Sequence, residues 1–137
     1  MSAPGPEGFI EGLRSLGYEP ELRSQSLVVF DYEVEVGPLA GSTFRVGLRV
    51  AGHWPLSPPG GPIIAPPFLP INPNQTAGHP YGGVHANGEL GQAGHYLSRP
   101  FRKWAQTDRS VATYMAHIRH LFDTLPDELA ESERAAA

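Results

Sequence analysis

The sequence predicts an α+β domain, with helices packed on one face of a small antiparallel meander. Three observations carry this. Residues 26–36 and 43–51 alternate apolar and charged side chains on either side of a Gly-Pro turn. Residues 110–125 carry an apolar stripe at helical spacing. Between them, many of the 16 glycines and 15 prolines gather at positions 52–94, which marks a long, stiff, irregular middle.

Residues 1–6 are small and Pro/Gly-rich and read as a flexible N-terminus. Residues 7–16 read as a short helix. Phe9, Leu13 and Leu16 recur at helical spacing with Ile10 beside them, and Pro6 suits the first turn. Glu7 sits near the positive end of the dipole, and Gly17 suits a C-terminal stop. The internal Gly8 and Gly12 each cost up to about 1 kcal/mol against alanine, so packing must hold this helix.

In the first strand Val28, Phe30, Tyr32, Val34 and Val36 share one face, and Asp31, Glu33 and Glu35 share the other. Residues 37–42 form the turn. In the partner strand Phe44, Val46, Leu48 and Val50 point one way, and Arg45 and Arg49 the other. Acids then face arginines across the hairpin and help fix its register, by roughly 0.2–1 kcal/mol a pair. A solvated sheet face is the simplest role for these charges.

From Gly52 to Pro73 only Ile63–Ala65 suits a strand, and the prolines predict an edge or a short piece. The remainder reads as extended, polyproline-like chain. Residues 74–106 read as a long loop pinned by the rings of Tyr81, Tyr96, Phe101 and Trp104. The last helix, 110–125, buries Val111, Tyr114, Met115, Ile118, Leu121, Phe122 and Leu125. Asp108 or Ser110 caps it and Pro126 stops it. Residues 127–137 form an acidic, Ala-rich tail, leaving one domain over 7–126.

The 137-residue chain has no cysteine, so it offers no disulfide, no thiolate nucleophile and no zinc ribbon. A net charge of −4 argues against nucleic acid as a partner. No apolar run approaches the roughly 18 residues of a membrane span. Met1–Glu7 lacks the basic and apolar regions of a signal peptide. The expectation is a cytoplasmic protein with no membrane partner.

Six histidines raise the question of a metal. His117 and His120 stand at i, i+3 with Arg119 between them, and the glutamate of a His-Glu-x-x-His motif is missing. The expectation is no metal and no cofactor. No Gly-x-Ser-x-Gly elbow is present, and Gly82, Gly83 and Gly88 make no phosphate-binding fingerprint. An oxygen nucleophile needs a base within hydrogen-bond reach. Ser98 lies near His95 in sequence, Ser57 sits in the Pro-rich stretch, and His79 and His85 are possible proton carriers. No residue stands out as catalytic; the candidates are His79, His95 and Ser98.

One order of short motifs is distinctive. Pro58-Pro59 and Pro66-Pro67-Phe68 are followed by His79-Pro80-Tyr81, then Asn87-Gly88-Glu89-Leu90, then Trp104 and the last helix. This order resembles the ubiquitin-conjugating-enzyme (UBC) fold over roughly residues 7–126. The resemblance implies an N-terminal helix, a small antiparallel β-meander, a long Pro/Gly-rich loop with a His-Pro-Asn turn, and a central helix packed on the sheet. Here Tyr81 replaces the asparagine of that turn, and Gly91 stands where the family carries its thioester cysteine.

The segment from Gly94 to Trp104 resembles the corresponding region of the cysteine-less ubiquitin E-two variants. The Arg-, Ala-, Gly- and Pro-rich composition, with Lys103 the only lysine, points to a divergent bacterial member. The resemblance implies a non-catalytic module in a bacterial ubiquitin-like conjugation pathway. Its partners would be a ubiquitin-like protein and an adenylating (ThiF/E-one-like) enzyme, with a JAB-type peptidase in the same pathway. Binding would fall to Tyr81, His85, Asn87, Tyr96 and Trp104, around the vestigial Gly91. The alternatives are a UBC-like transferase working without a thioester, through a serine oxyester or direct transfer, and an unrelated small metal enzyme.

Overall fold

The computed structural model describes residues 4–66, 84–97 and 101–136, with the backbone alone for 84–86 and 125–136. It contains helix α1 (Gly5–Ser15), helix α2 (Val111–Ala136) and a 3-10 turn at Trp104–Gln106. The strands are β1 (Glu21–Leu22), β2 (Leu27–Glu33), β3 (Thr43–Arg49), β4 (Gly60–Ala65), β5 (Val84–Asn87) and β6 (Gly94–Leu97). They form one antiparallel sheet in the order β1-β2-β3-β4-β6-β5, with β1 a two-residue edge piece on five longer strands. The α+β class is as the sequence predicts.

Helix α1 starts earlier than its periodicity suggests. The Gly5 N–H donates to the Trp54 carbonyl at 3.1 Å, which ties the helix start to the β3–β4 loop. Its C-terminus closes as Gly17 predicts. Gly17, at φ +96°, donates to the Arg14 carbonyl, and Tyr18 donates to the Leu13 carbonyl. These are the paired bonds of a Schellman motif, which needs a residue at ease in the left-handed region.

The register of β2 on β3 sets Asp31 opposite Arg45, and the two join at 3.3 Å. On the helix side, Val28, Phe30, Tyr32, Phe44, Val46 and Leu48 meet Phe9 and Leu13 of α1 and Tyr114, Ile118 and Phe122 of α2. The outer face is not simply solvated. Leu27, Val29, Ile63, Ala65 and Leu90 form a second buried cluster there, with Tyr96 half-buried against it. Leu27 and Val29 share the parity of Asp31 and Glu33, so the charges at the far end of the strand mask them in the pattern.

Three expectations need correcting. Strand β4 is internal, paired to both β3 and β6, although it contains Pro62. The sheet accommodates the missing N–H with a bulge: residues 60 to 63 of β4 face only 47 to 49 of β3. The stretch 74–106 is not all loop, because β5 and β6 form a hairpin within it. Each is four residues long, too short for alternation to register. Finally, α2 runs past Pro126 to Ala136 instead of stopping. Proline has no N–H for the Phe122 carbonyl. At that same turn Gly37 packs against α2 so closely that a Cβ on it would lie 3.0 Å from the Phe122 oxygen.

Candidate functional site

The β3–β4 loop is held by rings. Trp54 is buried edge-on to Phe9 at 4.9 Å and lies 5.3 Å from Trp104. The Trp104 indole N–H donates to the Pro55 carbonyl at 2.9 Å. Phe101, Tyr114 and His117 continue the stack toward α2. Trp104 is thus the buried anchor that its place in the sequence suggests, not a free binding ring.

Beside this anchor is a cleft of ≈250 Å³ between the end of α1 and the start of α2, lined by Gly12, Leu16, Trp54, Pro55, Arg109 and Val111. Leu16 is 46% exposed, and Leu56, next to Pro55, is 66% exposed. With Leu22 they are the exposed large apolar side chains among the described residues. The Arg109 guanidinium makes no ion pair among the described residues, and Arg102 and Lys103 are exposed in the turn before Trp104. Such a cleft can seat an apolar side chain with acidic groups around it. In the same loop, His53 Nε2 and Ser57 Oγ are hydrogen-bonded.

The turn joining β5 to β6 contains the position that the UBC resemblance aligns with a cysteine. Asn87 shapes it: Oδ1 accepts from the Glu89 N–H at 2.9 Å and Nδ2 donates to the Glu89 carboxylate at 3.2 Å. Leu90 turns inward onto the outer cluster, its carbonyl accepting from Arg23 at 2.9 Å, and Arg49 pairs with Glu89. Gly91 is exposed at φ +83°, with nothing within 4 Å of where its Cβ would be. Any L-residue there costs roughly 1–2 kcal/mol. The glycine is therefore demanded by the backbone, while the space around it is open.

The structure separates several residues that the sequence groups together. His95 is 2% exposed on β6, opposite Ile64, and points to the helix side with Leu97. Burial pushes its imidazole below the ordinary value of 6.5, so it is neutral at neutral pH. Tyr96, its neighbour, points to the outer face. His79, Tyr81 and Ser98 lie outside the described residues, and His85 is placed only by its backbone in β5, opposite Tyr96. Burial pushes the Tyr32 phenol up to about 12 and raises that of Tyr114, so both remain neutral.

Among the described residues, no three His, Asp or Glu side chains come together as a metal site would require. None of the described helices is long and apolar enough to cross a membrane. Sequence reasoning missed the cleft around Leu16 and Arg109, whose parts come from three separate segments. The His53–Ser57 pair carried a local signal: an i, i+4 spacing around Pro55, where a tight turn brings the ends together. Compared with protein-family models, with curated proteins and with solved structures, the chain gives no match.

Proposed function

We propose that the chain is a cysteine-free, UBC-like binding module in a bacterial ubiquitin-like conjugation pathway, holding a ubiquitin-like protein, its adenylating enzyme, or both. The observation that carries this reading is the β5–β6 turn. It is fastened to the sheet by Leu90, Arg23 and Arg49, yet at the aligned position it carries a left-handed glycine. A chain with no thiol cannot form a thioester at this turn or anywhere else. The order of helix, antiparallel sheet, fastened turn, buried Trp104 and long helix supports this reading.

The cleft supplies the contact surface. Leu16 in its lining and Leu56, next in sequence to the lining residue Pro55, are exposed on elements already held by packing, so little entropy is lost when a partner covers them. The test is co-expression with the genomic neighbours, followed by affinity purification and mass spectrometry. Stoichiometric recovery of an adenylating enzyme or a ubiquitin-like protein is the expected result, and Leu16→Asp with Leu56→Asp should weaken it. Recovery of the chain alone overturns the reading.

A further inference from the structure

We propose that Ser57 is an acyl acceptor and that His53 is its base. This inference is independent of the UBC-like reading. The two side chains are hydrogen-bonded through Nε2 and Oγ, the arrangement by which an imidazole activates a hydroxyl. Backbone contacts hold both residues in one turn. The Leu56 N–H donates to the His53 carbonyl at 2.9 Å, closing a turn between the two residues. The buried Trp54 and the Trp104–Pro55 hydrogen bond fix that turn to the core. His53 is exposed and Ser57 half-buried, so a donor can reach them. Leu56 lies between them in the turn with two-thirds of its surface open, offering apolar contact to an acyl group.

The co-reactant is an acyl compound with a good leaving group, such as an activated ester. Ser57 Oγ attacks its carbonyl carbon while the hydroxyl proton passes to His53 Nε2. The bond to the leaving group breaks, and that group departs with the bonding pair and takes up a proton from solvent or the imidazolium. An ester on Ser57 remains, and nothing is oxidised or reduced. The loop also explains why this would be an acceptor rather than a hydrolase. In hydrolases with a nucleophile elbow, the oxyanion hole uses the N–H of the residue after the nucleophile. Here that residue is Pro58, followed by Pro59, and neither has an N–H. Without that donor both steps lose stabilisation, but the activated ester has a good leaving group and still acylates Ser57, whereas the alkyl ester on Ser57 hydrolyses slowly and accumulates.

The test uses the full chain with p-nitrophenyl acetate. Nitrophenol release is followed, and the protein is analysed by intact mass and peptide mapping. The expected result is a burst that stops near one equivalent, with an acetyl group on the peptide containing Ser57. Ser57→Ala should abolish that adduct. His53→Gln, which keeps a polar group at the exposed position but no base, should slow acetylation of Ser57 by roughly a hundredfold, the lower end of what a general base contributes. A thermal melt of each variant checks that the fold persists. Acetylation confined to Lys103 and the amino terminus overturns the proposal, as does an unchanged Ser57 rate in His53→Gln.

Discussion

Val111, the first residue of α2, fills the space left by the absent side chain of Gly12 on α1. A Cβ on Gly12 would lie 2.8 Å from Val111 Cβ and closer still to its Cγ2. By propensity Gly12 is a defect in α1, yet it permits the close contact between the two helices. Valine is β-branched and stiff, so it cannot swing aside. Gly12→Ala gains about 1 kcal/mol of helix propensity but overpacks the contact by roughly 1–3 kcal/mol. A net loss of stability is expected in urea denaturation, and Val111→Ala in the same chain should relieve it. A gain from Gly12→Ala alone would mean that the helices do not meet here.

Trp104→Ala removes the ring that touches Trp54, Phe101 and Tyr114, and should cost roughly 3–5 kcal/mol. Trp104→Phe isolates one part of this. It keeps an aromatic side chain but takes the hydrogen bond from the Pro55 carbonyl, worth about 1 kcal/mol. Guanidinium unfolding of both variants checks the order. Equal midpoints for Trp104→Ala and the wild type would remove the ring stack as the anchor of the β3–β4 loop.

The start of α2 is capped twice. Ser110 Oγ accepts from the Thr113 N–H, and Asp108 accepts from the Thr113 hydroxyl and the Ser110 N–H. Ser110→Ala should cost about 1 kcal/mol. The Thr113 hydroxyl first, then Ser110, hold the Asp108 carboxyl below its ordinary value of 3.8. In acid the unfolded chain therefore takes up this proton before the folded chain does. The stabilisation is complete above pH 3.8 and is lost as pH falls through the lower folded value. Asp108→Asn should flatten this acid limb of the melting profile. An acid limb identical to that of the wild type counts against the Asp108–Thr113 contact.

The sequence carried the fold class because β2, β3 and α2 each have a full period of buried residues, and α1 has Gly17 to end it. Contacts between distant segments were less legible. Leu90 belongs to the outer cluster through the place of Gly47, where a Cβ would come within 2.7 Å of it. No local pattern announces such a match. Pro62 and Pro126 misled for the same reason. A bulge absorbs the first, and α2 continues through the second. At the candidate site the absence of cysteine was plain, but the left-handed backbone at Gly91 was not.

His95 and Tyr96 test the register of β6. A strand shifted by one residue exchanges its two faces, so the structure requires His95 inside and Tyr96 outside. Burial lowers the His95 pKa from its ordinary 6.5, so from pH 6.5 downward the unfolded chain binds a proton that the folded chain resists. Stability contributed by neutral His95 is therefore present above pH 6.5 and lost progressively below it. His95→Leu, which replaces the ring with an apolar side chain beside Ile64 and Leu97, should remove this part of the pH dependence. The other five histidines are present in both proteins, so the difference between the two melting profiles isolates His95. Parallel profiles would mean that His95 is solvated. The pairing of β6 with β4 would then have to slip by one residue, placing Tyr96 against the helices.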